Sequence, residues 1–158
     1  MSQNFLTSSP GAETIEVSGA FPHPVERVWR AWTEPDRLKR WFGADGADFA
    51  SMEVDVRVGG RWRFVLGKDA TSALEGEYLV VEPNHRLVFT WSHVQETPEG
   101  VQATPTSQVS VTFRQIEGGA EINLRHERIQ TDGARANVSH GWNGSFTRLR
   151  DTLNAART

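Results

Sequence analysis

The chain has 158 residues, a net charge of −3 and an ordinary globular composition apart from six tryptophans, which fits one domain with a full core. Basic and acidic residues are interleaved, as in Arg125-His126-Glu127-Arg128, so no basic block tracks a phosphate backbone and nucleic acid is not an expected partner. No cysteine is present, which removes disulfides, thiolate metal sites and a thiol nucleophile, and no apolar run is long enough to insert into a bilayer.

Residues 1–12 are polar and serine-rich and read as a flexible N-terminal tail, with neither the basic start nor the apolar run of a signal peptide. Residues 14–20 alternate, with Ile15 and Val17 on one face, and predict a first strand. Pro24 suits the first position of a helix. Val25, Val28, Trp29 and Trp32 follow at i, i+3, i+4 and i+7 and give that helix an apolar face. Glu34-Pro35 ends it, because a residue before proline avoids helical backbone angles. A second short helix starts at Pro35, carries Leu38, Trp41 and Phe42, and closes at Gly43. Arg37, Lys39 and Arg40 on it read as a solvated surface.

The period then changes to two. Residues 49–58 predict a strand, and Gly59-Gly60 offer the positive φ angles of a tight hairpin turn. Residues 61–66 return with Trp62, Phe64 and Leu66 on one face, and Asp55 with Arg57 reads as an ion pair beside the turn. After Gly67-Lys68-Asp69, residues 73–82 place Tyr78 and Val80 on one face and stop at Pro83-Asn84. Residues 86–92 alternate with Leu87, Phe89 and Trp91 inward. Residues 94–106, rich in Pro, Thr, Glu and Gly and without a period, read as a long loop able to border a cavity mouth. Residues 108–116 turn Val109, Val111 and Phe113 inward. Glu117-Gly118-Gly119 is the next turn, and residues 120–127 turn Ile122, Leu124 and His126 inward.

Val138, Trp142, Phe146, Leu149 and Leu153 then share one face of a helix predicted over 134–155, with Asp132 or Thr131 at its cap and Gly133 in the entry turn. The resulting order is β-α-α-β6-α. Hairpin-joined strands make an antiparallel sheet, and the last helix is the cover for its apolar face. The fold class is α+β, a curved sheet wrapped around a long C-terminal helix, as one domain over 13–158.

Several segments in this order resemble a known family. They are Phe21-Pro-His-Pro-Val-Glu-Arg-Val-Trp, Trp32-Thr-Glu-Pro-Asp-Arg-Leu-Lys-Arg-Trp and Asp55-Val-Arg-Val-Gly-Gly-Arg-Trp-Arg-Phe. Gly76-Glu-Tyr-Leu-Val-Val-Glu-Pro, Arg86-Leu-Val-Phe-Thr-Trp and Gly141-Trp142 follow. The chain is similar to the START-like, helix-grip superfamily, and within it to homologues of the activator of the Hsp90 ATPase. The resemblance spans residues 14–155 and implies the helix-grip fold. Relatives of that shape bind lipids, polyketides, hormones or drugs, and some are cyclases or hydrolases.

The inward faces converge under the last helix on Trp62, Phe64, Tyr78, Phe89, Trp91, Val111, Phe113, Leu124, His126, Trp142 and Phe146. These form the candidate ligand-binding set, an aromatic lining suited to a small hydrophobic molecule or else a core that fills its own space. His126 and Tyr78 are the polar members able to orient a ligand. Three functions stay open. The first is a cytoplasmic ligand-binding protein, and the second an enzyme using His126 as acid or base. The third is a co-chaperone-like interaction protein. No nucleophile elbow, histidine metal spacing or nucleotide-binding glycine loop is present, so no catalytic triad, metal or cofactor is expected. A homodimer through an exposed sheet edge is a further possibility.

Overall fold

The computed structural model describes residues 6–11, 14–42, 49–66, 72–103, 106–129 and 132–155. In chain order the elements are β1 (Leu6–Gly11), β2 (Thr14–Phe21), α1 (Val25–Thr33), α2 (Pro35–Trp41), β3 (Phe49–Val54) and β4 (Arg61–Leu66). They continue with β5 (Ser72–Glu82), β6 (Arg86–Thr97), β7 (Gly100–Ala103), β8 (Ser107–Ile116), β9 (Gly119–Glu127) and α3 (Asp132–Ala155). The strands form one antiparallel sheet in the order β1-β2-β9-β8-β6-β5-β4-β3, with β7 attached to β6 beside that path. The sheet curves around α3, a helix-grip arrangement, and α3 packs on β2 and on both short helices.

Strand alternation decides which side chains meet the helix. Val109, Val111 and Phe113 of β8 lie opposite His126, Leu124 and Ile122 of β9, and all six are buried. Their neighbours Arg114 and Arg125 stand on the solvent side, paired with Glu121 and Glu16. Trp142, Phe146, Leu149 and Leu153 of α3 are buried against this face, and Phe146 meets Phe21 of β2 with ring centres 6.1 Å apart.

The short helices are held from outside themselves. Pro24 is the N-cap of α1 rather than its first helical residue, and it has no side chain able to cap. Gln115 of β8 substitutes for a cap by accepting the Val25 N–H at 3.0 Å, while its amide nitrogen donates to the Gly119 carbonyl. His23, in the bend before α1, is buried and ties that bend to the end of α3. Its Nδ1 accepts from Arg27, so its Nε2–H donates to Asn154 Oδ1 at 2.9 Å.

Four local expectations change. Residues 6–11, expected within the flexible tail, form β1 as the edge strand beside β2, with Pro10 inside the register shift between Ser8 and Gly11. The expected loop over 94–106 is instead the outer half of β6 returning through β7. Its residues in β7 are all exposed, so no apolar period announces it. The strand expected to reach Val58 stops at Val54, and residues 55–60 make a longer connection than a two-residue turn. Val80 does not share the face of Tyr78, because a register shift between them turns Val81 toward the core instead. With β1 and β7 added, the order is two strands, two helices, seven strands and one helix. The turn expected at 67–69, Gly43 and Thr131 lie outside the described residues, as do the side chains of Leu66 and Val138.

Candidate functional site

The 55–60 connection prepares one wall of the site. Gly59 takes φ +85°, and a Cβ on Gly60 would lie 1.9 Å from the Asp55 carbonyl oxygen, so the chain can fold back only with glycine there. Gly59 N–H then donates to the Tyr78 carbonyl at 2.9 Å, and Tyr78 N–H donates to the Gly60 carbonyl at 2.8 Å. This pairing fixes the backbone that carries the Tyr78 ring inward. Asp55 and Arg57 form the ion pair expected beside the turn, at 2.8 Å.

A second wall depends on Gly76. Trp62 of β4 lies opposite Gly76 of β5, and its Nε1–H passes over that residue to donate to the Thr90 carbonyl of β6 at 3.1 Å. A Cβ on Gly76 would sit 1.9 Å from that carbonyl oxygen and 2.6 Å from the indole nitrogen. The β5–β6 ladder opens at the same level, where Glu77 N–H donates to the Thr90 hydroxyl at 2.9 Å. The indole therefore takes the Thr90 carbonyl where the ladder is open, which fixes the ring on the inner face.

Between these walls and the short helices lies a small, partly open cavity of about 20 Å³, lined by Trp32, Leu38, Phe42, Trp62, Phe64, Tyr78 and Phe89. That is room for about one water molecule. Of the expected lining residues, Trp62, Phe64, Tyr78 and Phe89 border it. Trp91, Val111, Phe113, Leu124, His126, Trp142 and Phe146 pack in the core beyond it. Trp32, Leu38 and Phe42 complete the lining from α1 and the end of α2. Their apolar spacing was visible in the sequence, but periodicity does not say which part of the sheet a helix covers.

The aromatic rings fill most of the space. Phe42 lies edge-on to Phe64 at 5.0 Å and to Trp142 at 5.8 Å, and Trp32 stacks on Trp142 at 5.9 Å with 24° between planes. Two polar groups on the cavity lining are unusual. Trp32 Nε1 is the one buried side-chain nitrogen or oxygen without a hydrogen-bond partner among the described residues. Tyr78 is also buried and carries the phenol of this wall. Burial, then the nearby Asp55 carboxylate, pushes the Tyr78 phenol well above its ordinary range, so it stays neutral.

His126 has the opposite situation. It is fully buried between strands and α3, and both ring nitrogens are engaged. Trp142 Nε1–H donates to Nδ1 at 3.1 Å. Nε2–H donates to Ser107 Oγ at 2.7 Å, and Ser107 in turn donates to the Trp91 carbonyl at 3.2 Å. Burial lowers the imidazole pKa to about 4, so the ring is neutral near pH 7. Among the described residues no group of three or more His, Cys, Asp or Glu is placed to hold a metal, and no helix is long and apolar enough to cross a membrane.

The order of elements, the curved sheet and the gripped helix now stand beside a sequence match. Residues 22–154 match the family described as activator of Hsp90 ATPase homolog 1-like protein. The chain belongs to that family. Solved structures agree with this Hsp90-activator-homologue fold. A Mesorhizobium loti protein is 26% identical, with a TM-score of 0.71 over 90% of this chain and 97% of its own. A Nitrosomonas europaea protein is 21% identical, with a TM-score of 0.75 over 94% of this chain and 99% of its own. DynU16, from the dynemicin biosynthetic locus, is 24% identical with a TM-score of 0.70, and the match spans 91% of this chain and 48% of DynU16. No curated protein matches the sequence.

Proposed function

We propose that this member of the Hsp90-activator-homologue family is a binding module for a small apolar molecule, held between the two short helices and strands β4 to β6. The observation that carries this reading is the cavity wall: among the described residues it consists of six aromatic side chains and one leucine, with no charged side chain. Aromatic walls with a few polar groups are the usual composition of small-molecule sites. Drug-sized ligands occupy about 300 Å³ or more, so an occupant larger than water displaces aromatic side chains as it enters. Phe42 is the natural one to yield, because it follows the last turn of α2 rather than sitting within a strand.

Catalysis through His126 has less support. Its ring is fully buried and both nitrogens are already bonded within the protein, which leaves no lone pair or proton for a substrate.

Native mass spectrometry of protein purified gently from its own host, followed by denaturing extraction, tests the proposal directly. A small apolar molecule released on unfolding is the expected result. In parallel, N-phenyl-naphthylamine should show saturable fluorescence enhancement that Leu38→Trp, which fills the cavity, abolishes. An empty protein that also gives no saturable signal while folded would overturn the reading.

A further inference from the structure

Resting on that binding reading, we propose that the site selects a neutral molecule bearing a hydrogen-bond-accepting oxygen, a carbonyl or ether, which takes the indole N–H of Trp32. Trp32 borders the cavity, is only 2% exposed, and keeps a buried donor with no partner among the described residues. Leaving such a donor unpaired forfeits the hydrogen bond it would make in water with nothing to offset the loss. The other buried indole donors for which bonds are seen do not carry this cost. Trp41 donates to the Ala31 carbonyl, Trp62 to the Thr90 carbonyl and Trp142 to His126. Trp32 is the exception, and among the described residues it shares the cavity lining with one hydroxyl, that of Tyr78.

The chemistry of the two groups narrows the ligand. An indole N–H only donates, so its partner must accept. The phenol can donate or accept, so it serves a second oxygen or a bridging water. Among the described residues no cationic side chain lines the cavity to balance an anion, and the carboxylate that acts on Tyr78 is that of Asp55. An anionic ligand would meet an apolar wall and a like charge, which disfavours carboxylates and phosphates. The aromatic lining favours a flat hydrocarbon frame on which the oxygen is mounted.

The test compares three probes of one frame against the full-length protein: acetylnaphthalene, ethylnaphthalene and naphthoate. Acetylnaphthalene should bind about tenfold or more tightly than ethylnaphthalene, and naphthoate least. Trp32→Phe should remove the preference between the first two, and Tyr78→Phe should reduce it. If Trp32→Phe does not fold, the indole N–H resonance of Trp32 in the labelled wild-type protein provides the same reading. It should move downfield with acetylnaphthalene and not with ethylnaphthalene. Equal affinities for the two neutral probes, with an unmoved Trp32 resonance, overturn the anchor while leaving the binding module intact. A preference that survives Trp32→Phe and vanishes in Tyr78→Phe moves the anchor to the phenol and overturns the assignment to Trp32. Failure of all three probes to bind overturns both the anchor and the binding reading.

Discussion

Trp142 of the C-terminal helix donates its indole N–H to Nδ1 of His126 on the last strand, at 3.1 Å, and this one bond settles the tautomer of a fully buried histidine. Because an indole cannot accept, Nδ1 carries no proton, and the ring's own proton lies on Nε2 facing Ser107. The chain of donors ends on the Trp91 carbonyl, so helix α3 and strands β6, β8 and β9 are joined by a path with one direction. A second proton on the ring would point at the indole N–H and break it.

Acid should therefore loosen the protein through His126. The unfolded chain takes up this proton near pH 6.5, whereas the folded chain refuses it until about pH 4. The contribution of the neutral ring is whole above pH 6.5, falls as the pH drops, and is lost by about pH 4. Its size is about 3 kcal/mol. Urea midpoints measured from pH 7 to pH 4 should fall more steeply in the wild type than in His126→Gln. The glutamine amide can accept from the indole and donate to the serine without titrating. Equal slopes would remove His126 as the cause.

Ser107→Ala should cost about 1–3 kcal/mol, because it leaves the buried Nε2–H of His126 without an acceptor. Chemical denaturation at pH 7 measures it. A loss within a few tenths of a kcal/mol would mean that the hydroxyl is dispensable to the histidine.

Two glycine substitutions should differ for different reasons. Gly76→Ala drives a Cβ to 1.9 Å from the Thr90 carbonyl oxygen, a backbone atom that cannot swing aside. It should cost more than roughly 2 kcal/mol and disturb Trp62 fluorescence. Gly59→Ala meets nothing within 4 Å but must hold φ +85°, and should cost only about 1–2 kcal/mol. Thermal melts of the two variants would rank them, and the reverse order would contradict the close approach at Gly76.

Phe42→Ala should open the cavity. Truncating a buried phenylalanine costs about 3–5 kcal/mol, and the space left is walled by Trp32, Leu38, Phe64 and their neighbours. An apolar void of that kind takes up benzene, so benzene should raise the melting temperature of the variant more than that of the wild type, in which Phe42 must first yield. If benzene stabilises neither protein, the aromatic walls have collapsed into the gap.

The inward set on β8 and β9 was legible because a buried sheet face demands a period of two, and Val109, Val111, Phe113, Ile122, Leu124 and His126 keep it. Trp142 to Leu153 were legible for the matching reason in a helix. Where burial does not enforce a pattern the reading failed. β7 is wholly exposed, and one residue of slippage after Tyr78 exchanged Val80 for Val81.

What the sequence determined by itself was the alternation of faces, the helix spacings and the motif order, hence the gripped helix and the family. These are local properties, set by each residue's neighbours along the chain. Tertiary structure alone decided that Trp32, Leu38 and Phe42 close the cavity over Trp62 and Tyr78. It also decided that His126 is spent on Trp142 and Ser107, and that the Trp32 donor has no partner among the described residues. Hydrogen bonds and cavity walls join residues distant in the chain, and their partners are chosen by strand register and helix placement, which no periodicity encodes.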